Sequence, residues 1–220
     1  SDYEVSPFYG LNQLPRFIRP FPDDFLEEII FLKSFTLNYL NEKIHLNRRD
    51  SHWIFKGLEI FLIDKYLKEY YPKVKFIGYL SGNTFLSDYE ISKINFTDLF
   101  LNYSEYFQRL NILQSDIESS DSLTRINEEI ASPYHVGQGL IYLENLIGDK
   151  KFKLLTQKIL KVTSNQELLE VFNDLDFESE WFIRDYVGTR QSIDLSIQKI
   201  DNDLFKVSEK NNTKIPYSIG

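Results

Sequence analysis

The fold of this 220-residue chain is limited above all by a helical period that begins at Asp23. Apolar side chains recur there at spacings of three and four residues, which is typical of an α-helix with one buried face. They are Phe25, Leu26, Ile29, Ile30, Phe31, Leu37, Leu40 and Ile44. A polar break at residues 47–50 precedes a second helix, predicted from Ser51 to Tyr71 and ended by Pro72. Two long adjacent helices predict an α-helical body.

The first turns of the first helix are rich in acid. The four acidic residues are Asp23, Asp24, Glu27 and Glu28. Acidic side chains at a helix N-terminus interact favourably with the helix dipole. We therefore interpret this group as a solvated face of the helix.

The helical character continues to about residue 189 and then changes. Further helices are predicted near 96–110, 123–131, 134–147, 149–161, 165–173 and 178–189. We expect Pro133 to separate two of them, and Ser164 with Glu167 fits a capping box. Apolar residues then alternate on both sides of Asn202-Asp203, which predicts a hairpin. The predicted fold is mainly α, with a short C-terminal β-hairpin or strand tail.

Three segments are expected along the chain. Residues 1–22 contain four Pro and form an irregular lead-in. Residues 23–190 form the helical domain, and residues 191–220 begin a β segment that we expect to be truncated. The chain starts with Ser1 rather than Met, so we expect a processed protein or a piece of a longer one.

The composition excludes several classes of function. The net charge is −8 and no basic stripe is present, which argues against a nucleic-acid partner. No run of 18 uncharged apolar residues occurs, so no membrane span is predicted. The absence of Cys excludes disulfides, thiol catalysis and thiolate metal sites. No targeting segment is evident, so the compartment stays unknown.

Residues 53–57 (WIFKG) form the most informative short motif. Zinc peptidases of the two-helix kind bind the metal through two His one helical turn apart and a third ligand from the next helix. In the aminopeptidase N family, that third ligand is the Glu of a Trp-x-x-Glu-Gly stretch, 19 positions after the second His. This chain resembles that stretch with Lys56 in place of the Glu. Lys33 and Leu37 then stand where the two His would be, and Ser34 where the catalytic Glu would be.

A second likeness to the same family lies downstream. The family carries a Tyr-x-Lys-Gly stretch that opens a helix and a later Leu-Gly-Asp-x-x-Phe stretch. Residues 134–137 (YHVG) and 147–152 (IGDKKF) are similar and follow in the same order. The resemblance covers about residues 20–200 and implies the helical half of a zincin-like peptidase domain. It also implies that Tyr134 is a vestigial donor to the oxyanion of the tetrahedral intermediate.

The departures from the family pattern concern every residue that the chemistry needs. Both His ligands, the Glu ligand and the catalytic Glu are replaced, and Leu37 has no donor atom. Lys33 and Lys56 would face the metal with positive charges. Two like unit charges about 4 Å apart cost roughly 4 kcal/mol at an effective dielectric near 20, and zinc carries two charges. We therefore expect no catalytic residue, no metal and no cofactor.

Lys33 and Lys56 allow more than one interpretation. In the simplest, other side chains have filled the cleft and both amines extend to water. In the second, the two amines converge and hold an anion, such as a peptide C-terminus, beside Tyr134. A lysine nucleophile is a third option. Tyr134 itself is either a retained oxyanion donor or a core residue at a helix start.

Three functions stay open at this point. The first is a non-catalytic, metal-free aminopeptidase-like domain, a pseudopeptidase, that binds peptide or protein in the inherited cleft. The second is an active metallo-aminopeptidase whose site is completed by parts of a longer parent chain. The third is a structural module that packs against neighbouring domains, which large exposed apolar patches would favour.

Overall fold

The computed structural model describes residues 21, 23–82, 88–174, 179–189, 195–201, 204–209 and 215–216. This part of the chain is mainly helical and contains one two-stranded antiparallel sheet. The main elements are α1 (Asp23–Lys43), α2 (His52–Tyr70), α3 (Asp98–Arg109), α4 (Ser132–Ile147), α5 (Asp149–Ile159), α6 (Asn165–Phe172), β1 (Leu195–Asp201) and β2 (Leu204–Glu209). The predicted class, mainly α with a C-terminal hairpin, is confirmed.

The second predicted helix, α2, lies at the centre of the molecule. It is buried on almost all sides from His52 to Phe61, which includes the charged residues Lys56 and Glu59. A helix that is apolar all round belongs in a core rather than at a surface. Its C-terminus lies where Pro72 predicts it, at Tyr70.

Two apolar cores lie against α2. The first joins α2 and α4 to α5, α6 and a π-helical turn at Phe182–Val187, and includes Trp53, Leu140 and Phe152. The second joins α2 to α1, α3 and the start of α4, and includes Phe25, Phe100 and Tyr134. Because α2 and α4 contribute to both cores, side chains at their contact are held from two directions.

Helices α2 and α4 approach closely because glycines lie at their contact. A Cβ atom added to Gly57 would lie 2.3 Å from Val136 Cγ1. A Cβ atom added to Gly137 would lie 2.6 Å from Ile60 Cγ2. Neither distance is compatible with van der Waals packing, so only glycine permits this spacing of the two backbones.

The prediction that Pro133 separates two helices is wrong. A π-helical turn at Asn127–Ala131 leads directly into α4, and Pro133 lies in the first turn of that helix. Proline has no N–H and disrupts regular i to i−4 hydrogen bonding within a helix. The turn just before Pro133 is π-helical, with hydrogen bonds from i to i−5 rather than from i to i−4. The backbone therefore stays helical from that turn into α4.

Two other predicted features are reproduced, the cap of α6 and the antiparallel pairing of the hairpin strands. The Ser164 side chain accepts a hydrogen bond from the Glu167 N–H, and the Glu167 carboxylate accepts one from the Thr163 N–H, so the cap of α6 is confirmed. Strand β1 pairs antiparallel with β2, with Ile197 opposite Val207. The turn at Asn202-Asp203, the lead-in apart from Phe21, and most of residues 191–220 beyond the hairpin lie outside the described residues.

The acidic start of α1 is only in part a solvated face. Asp24 and Glu27 are exposed, whereas Glu28 accepts hydrogen bonds from the hydroxyls of Tyr66 and Tyr71. These bonds favour the carboxylate and lower the pKa of Glu28, and they raise the pKa of Tyr66 to about 12. Glu28 therefore ties α1 to the end of α2.

The part of the chain that the structure describes agrees with the prediction that no segment spans a membrane. Among the helices that the structure describes, none combines the length and apolar character needed to cross a bilayer.

Candidate functional site

The residues at the predicted zinc positions lie where α1 packs against α2. Lys33 is partly buried, with 23% of its side chain exposed, and Leu37 is buried one turn further on. Ser34 is exposed to solvent. Lys56 is buried on α2, with 10% of its side chain exposed. The structure therefore brings Lys33, Leu37 and Lys56 to one helix pair and leaves Ser34 outside it.

The carboxylate of Glu59 is the centre of this arrangement. Lys33 Nζ lies 4.0 Å from Glu59 Oε1, and Lys56 Nζ lies 3.5 Å from Glu59 Oε2. The Glu59 side chain is 1% exposed. A buried carboxylate needs partners that compensate for its lost hydration, and the two ammonium groups supply opposite charge at ion-pair distances rather than in hydrogen bonds. We call Lys33, Lys56 and Glu59 the lysine cluster.

The lysine cluster bears on the first two of the three interpretations of the lysines. The amines do not point to opposite faces, because both approach the same carboxylate. The two amines therefore share one counter-ion within the chain, and the binding of an outside anion by them stays a prediction. The charge that they meet within the chain is Glu59, which the sequence analysis did not consider.

Tyr134 is packed as a core residue at the start of α4. Its ring lies 5.4 Å from that of Phe100 and 5.3 Å from that of Tyr103, measured between centroids. Burial raises the pKa of Tyr134 far above its usual range, and the charges of Tyr103 and Glu59 act in the same direction. The hydroxyl therefore keeps its proton over the whole working pH range. Its role as an oxyanion donor stays a prediction.

The three His residues do not meet at one place. His45 is exposed, and His52 Nε2 lies 2.7 Å from the carbonyl oxygen of Glu128. Burial disfavours the charged imidazole and lowers the pKa of His52, despite that backbone contact. His135 Nδ1 lies 2.6 Å from Asp116 Oδ2, and its ring stacks on Tyr186 at 4.2 Å.

The predicted positions do not fit a zinc ion. In the described part of the chain, no group of three or more His, Asp or Glu side chains is arranged to hold a metal. Zinc prefers imidazole, thiolate and carboxylate ligands, whereas these positions offer two ammonium groups and the aliphatic Leu37. Glu59 is the one carboxylate of the lysine cluster, and it is already in contact with both cations. We therefore derive no chemistry through a metal at this place.

A groove that the sequence analysis missed lies between α3 and α4. Its volume is about 420 Å³. Leu101 and Gln108 of α3 and Gln138 and Asn145 of α4 line it, together with the C-terminal residues 215–216. The hydroxyl of Tyr142 on α4 donates a hydrogen bond to the carbonyl of Pro216, which ties that segment to the helix. A pocket of this size with a few amide groups suits a small or peptide ligand.

Two features of the sequence point to Glu59 and to the groove, which the sequence analysis missed. Glu59 lies three positions after Lys56, a spacing at which helical side chains meet. The groove residues recur on both helices at the spacing of a single helix face, for example Gln138, Tyr142 and Asn145. Neither signal shows which face a neighbouring helix covers, so neither is sufficient without the tertiary structure.

No family model, curated protein or solved structure matches this chain. The resemblance to the aminopeptidase N family therefore stays a prediction that rests on the motifs described above.

Proposed function

We propose that this chain is a non-catalytic, metal-free aminopeptidase-like domain that binds the carboxylate of a peptide or protein at the lysine cluster. The observation that carries the proposal is the approach of Lys33 and Lys56 to one carboxylate, at 4.0 and 3.5 Å. Hydrolysis by the family mechanism needs a metal-bound water and a catalytic Glu, and the corresponding positions carry Lys33, Leu37, Lys56 and Ser34.

Charge counting supports an anionic ligand. Two ammonium groups and one carboxylate leave one positive charge in the lysine cluster, on a chain whose net charge is −8. Lys56 is nearly enclosed, but part of the Lys33 side chain reaches solvent. Lys33 can therefore donate to an incoming carboxylate while Lys56 stays with Glu59. A hydrogen bond between charged groups is shorter and stronger than one between neutral groups.

The groove between α3 and α4 offers partners for a peptide backbone, at a place that no residue of the lysine cluster lines. Its lining combines apolar side chains with the amides of Gln108, Gln138 and Asn145. Side-chain amides both donate and accept, and can pair with the N–H and C=O groups of an extended peptide. The groove is thus a second peptide-binding surface of the proposal, separate from the carboxylate site at the lysine cluster.

The first test compares acetylated tetra-alanine carrying a free C-terminus with the same peptide carrying a C-terminal amide. We expect the free acid to bind the wild-type chain about tenfold more tightly, because one charge-assisted hydrogen bond contributes about 1.5 kcal/mol. The Lys33→Gln variant should lose that preference. Titration followed by NMR chemical shifts measures both affinities.

The control for this titration is Lys68→Gln on α2. Lys68 also pairs with a buried carboxylate, that of Asp64 at 2.7 Å, but it lies outside the lysine cluster. This variant should keep the preference for the free acid. Equal affinity for acid and amide in the wild type, or no binding of either peptide, would contradict the proposal.

A second candidate function has its own supporting observation. Large apolar side chains are exposed on the hairpin, where Ile197, Ile200, Leu204 and Phe205 are each more than half exposed. Exposed apolar side chains are typical of a contact with another protein surface. Because side chains alternate along a strand, Leu204 and Phe205 lie on opposite faces of the hairpin, so both faces carry an exposed apolar residue. These residues support a structural module that packs against neighbouring domains of a longer chain. The alternative of an enzyme completed by a longer parent chain stays a prediction.

A further inference from the structure

The outer surface of α1 carries a row of five residues at intervals of four. They are Glu27, Phe31, Phe35, Tyr39 and Lys43, and we call them the α1 ridge. All five are exposed, and the three aromatic residues are 64%, 56% and 41% exposed in chain order. Phe31 was expected on the buried face of α1, and the structure places it outside.

The rings of the α1 ridge form an ordered surface. Phe31 and Phe35 stack with centroids 5.9 Å apart, and Phe35 and Tyr39 stack with centroids 6.4 Å apart. The Nζ of Lys43 lies 5.8 Å from the centre of the Tyr39 ring. Stacking holds the three side chains in register, so little conformational entropy remains to be lost when a partner covers them.

The buried side of α1 already has its contacts. Phe25, Leu26 and Ile29 belong to the core shared with α2 and α3. The α1 ridge is therefore a second apolar face on the same helix, and it is not needed to hold α1 on the domain. Three adjacent exposed aromatic side chains are unfavourable in water unless another surface covers them.

The order of residues along the α1 ridge is symmetric about Phe35. An acid stands at one end, a base at the other, and an aromatic residue stands on each side of the centre. A row at intervals of four is inclined by about 26° to the helix axis, so two such rows align in opposite directions when the helices cross at about 50°. In that arrangement Phe35 meets Phe35, and the Glu27 end of each row lies opposite the Lys43 end of the other. This is the self-complementary pattern of an interface with two-fold symmetry.

We infer that two copies of this chain associate through the α1 ridge as an antiparallel homodimer. Rows of side chains at intervals of four are the ridges that interdigitate in the commonest class of helix packing. The long side chains of Glu27 and Lys43 stand at the two ends of the aromatic row, where each can reach toward the opposite charge on the other copy. This inference does not depend on carboxylate binding at the lysine cluster.

The size of the α1 ridge sets the expected affinity. An aromatic side chain buries roughly 200 Å², so the exposed parts of the three rings amount to about 300 Å² per copy. A standard interface buries about 800 Å² per partner. We therefore expect a weak dimer, with a dissociation constant on the order of 100 µM.

Sedimentation velocity on the full chain tests the inference, over concentrations from about 5 µM to about 1 mM. The wild type should shift from monomer to dimer across this range. Phe35→Ser should weaken the dimer at least tenfold. Phe205→Ser, which changes an equally exposed Phe on the hairpin, should leave it unchanged. Circular dichroism of each variant confirms that the fold is retained.

A charge exchange tests the antiparallel arrangement itself. Glu27→Lys alone and Lys43→Glu alone should each weaken the dimer, because like charges then face each other across the interface. The double variant should restore it. A wild type that stays monomeric at all concentrations, a dimer that Phe35→Ser leaves intact, or a double variant no better than the single ones would each overturn the inference.

Discussion

Replacing Glu59 by Ala is expected to lower the free energy of unfolding by about 3–5 kcal/mol, because it removes one partner of a buried ion pair. Lys56 Nζ lies 3.5 Å from the Glu59 carboxylate, and only 10% of the Lys56 side chain is exposed. Without Glu59, the ammonium group stays buried in α2 with its main counter-charge removed. Urea unfolding followed by circular dichroism measures the loss.

Two further variants separate the ion pair from general effects of the substitution. Glu69→Ala removes an exposed acid from the same helix and should change the stability by less than about 0.5 kcal/mol. The double variant Lys56→Met with Glu59→Leu replaces both charges by apolar side chains and should recover most of the loss. A loss below about 1 kcal/mol for Glu59→Ala would show that the lysine cluster is not a buried ion pair.

Gly57→Ala is expected to destabilise the protein by about 1–3 kcal/mol, through overpacking between α2 and α4. The new methyl group would lie 2.3 Å from Val136 Cγ1 and 2.9 Å from Val136 Cβ, so one helix must move. Both helices contribute to two cores, and such a shift would disturb packing on both sides. The shift in the urea midpoint at constant slope reports the change.

The controls for Gly57→Ala come from the same chain. A Cβ at Gly82 would meet no atom within 4 Å, so Gly82→Ala should be close to neutral. Removing the side chain that causes the clash should help, so Gly57→Ala combined with Val136→Ala should lose less stability than the sum of the single losses. Additive losses, or a neutral Gly57→Ala, would contradict the close approach of α2 and α4.

The sequence predicts the helices and the hairpin well because their signals are local. Apolar spacing places α1 and α2, Pro72 marks the end of the second, and the Ser164 cap marks the start of α6. Pro133 shows the limit of such rules. A proline usually interrupts a helix, but the π-helical turn before α4 allows the helix to continue, and no local pattern indicates that turn.

The candidate site was predicted less completely, and for a tertiary reason. The resemblance to the aminopeptidase N pattern placed Lys33 and Lys56 at related positions and left their convergence as one of three interpretations, and both amines lie against Glu59. An acid on a helix is ordinarily a solvated residue, and Glu59 is buried only because α1 packs beside it. The pairing of Asp116 with His135 and the groove beside α4 likewise depend on which helices pack together.

Zinc content per chain tests the central claim of a metal-free, non-catalytic domain most directly. The protein should be purified without chelator, dialysed against trace zinc and analysed for metal by mass. The account predicts a value close to zero, because Lys33, Leu37 and Lys56 offer two positive charges and no suitable ligand at the expected metal position. A value close to one zinc ion per chain would contradict it, and His52 and His135 would then be the first residues to replace.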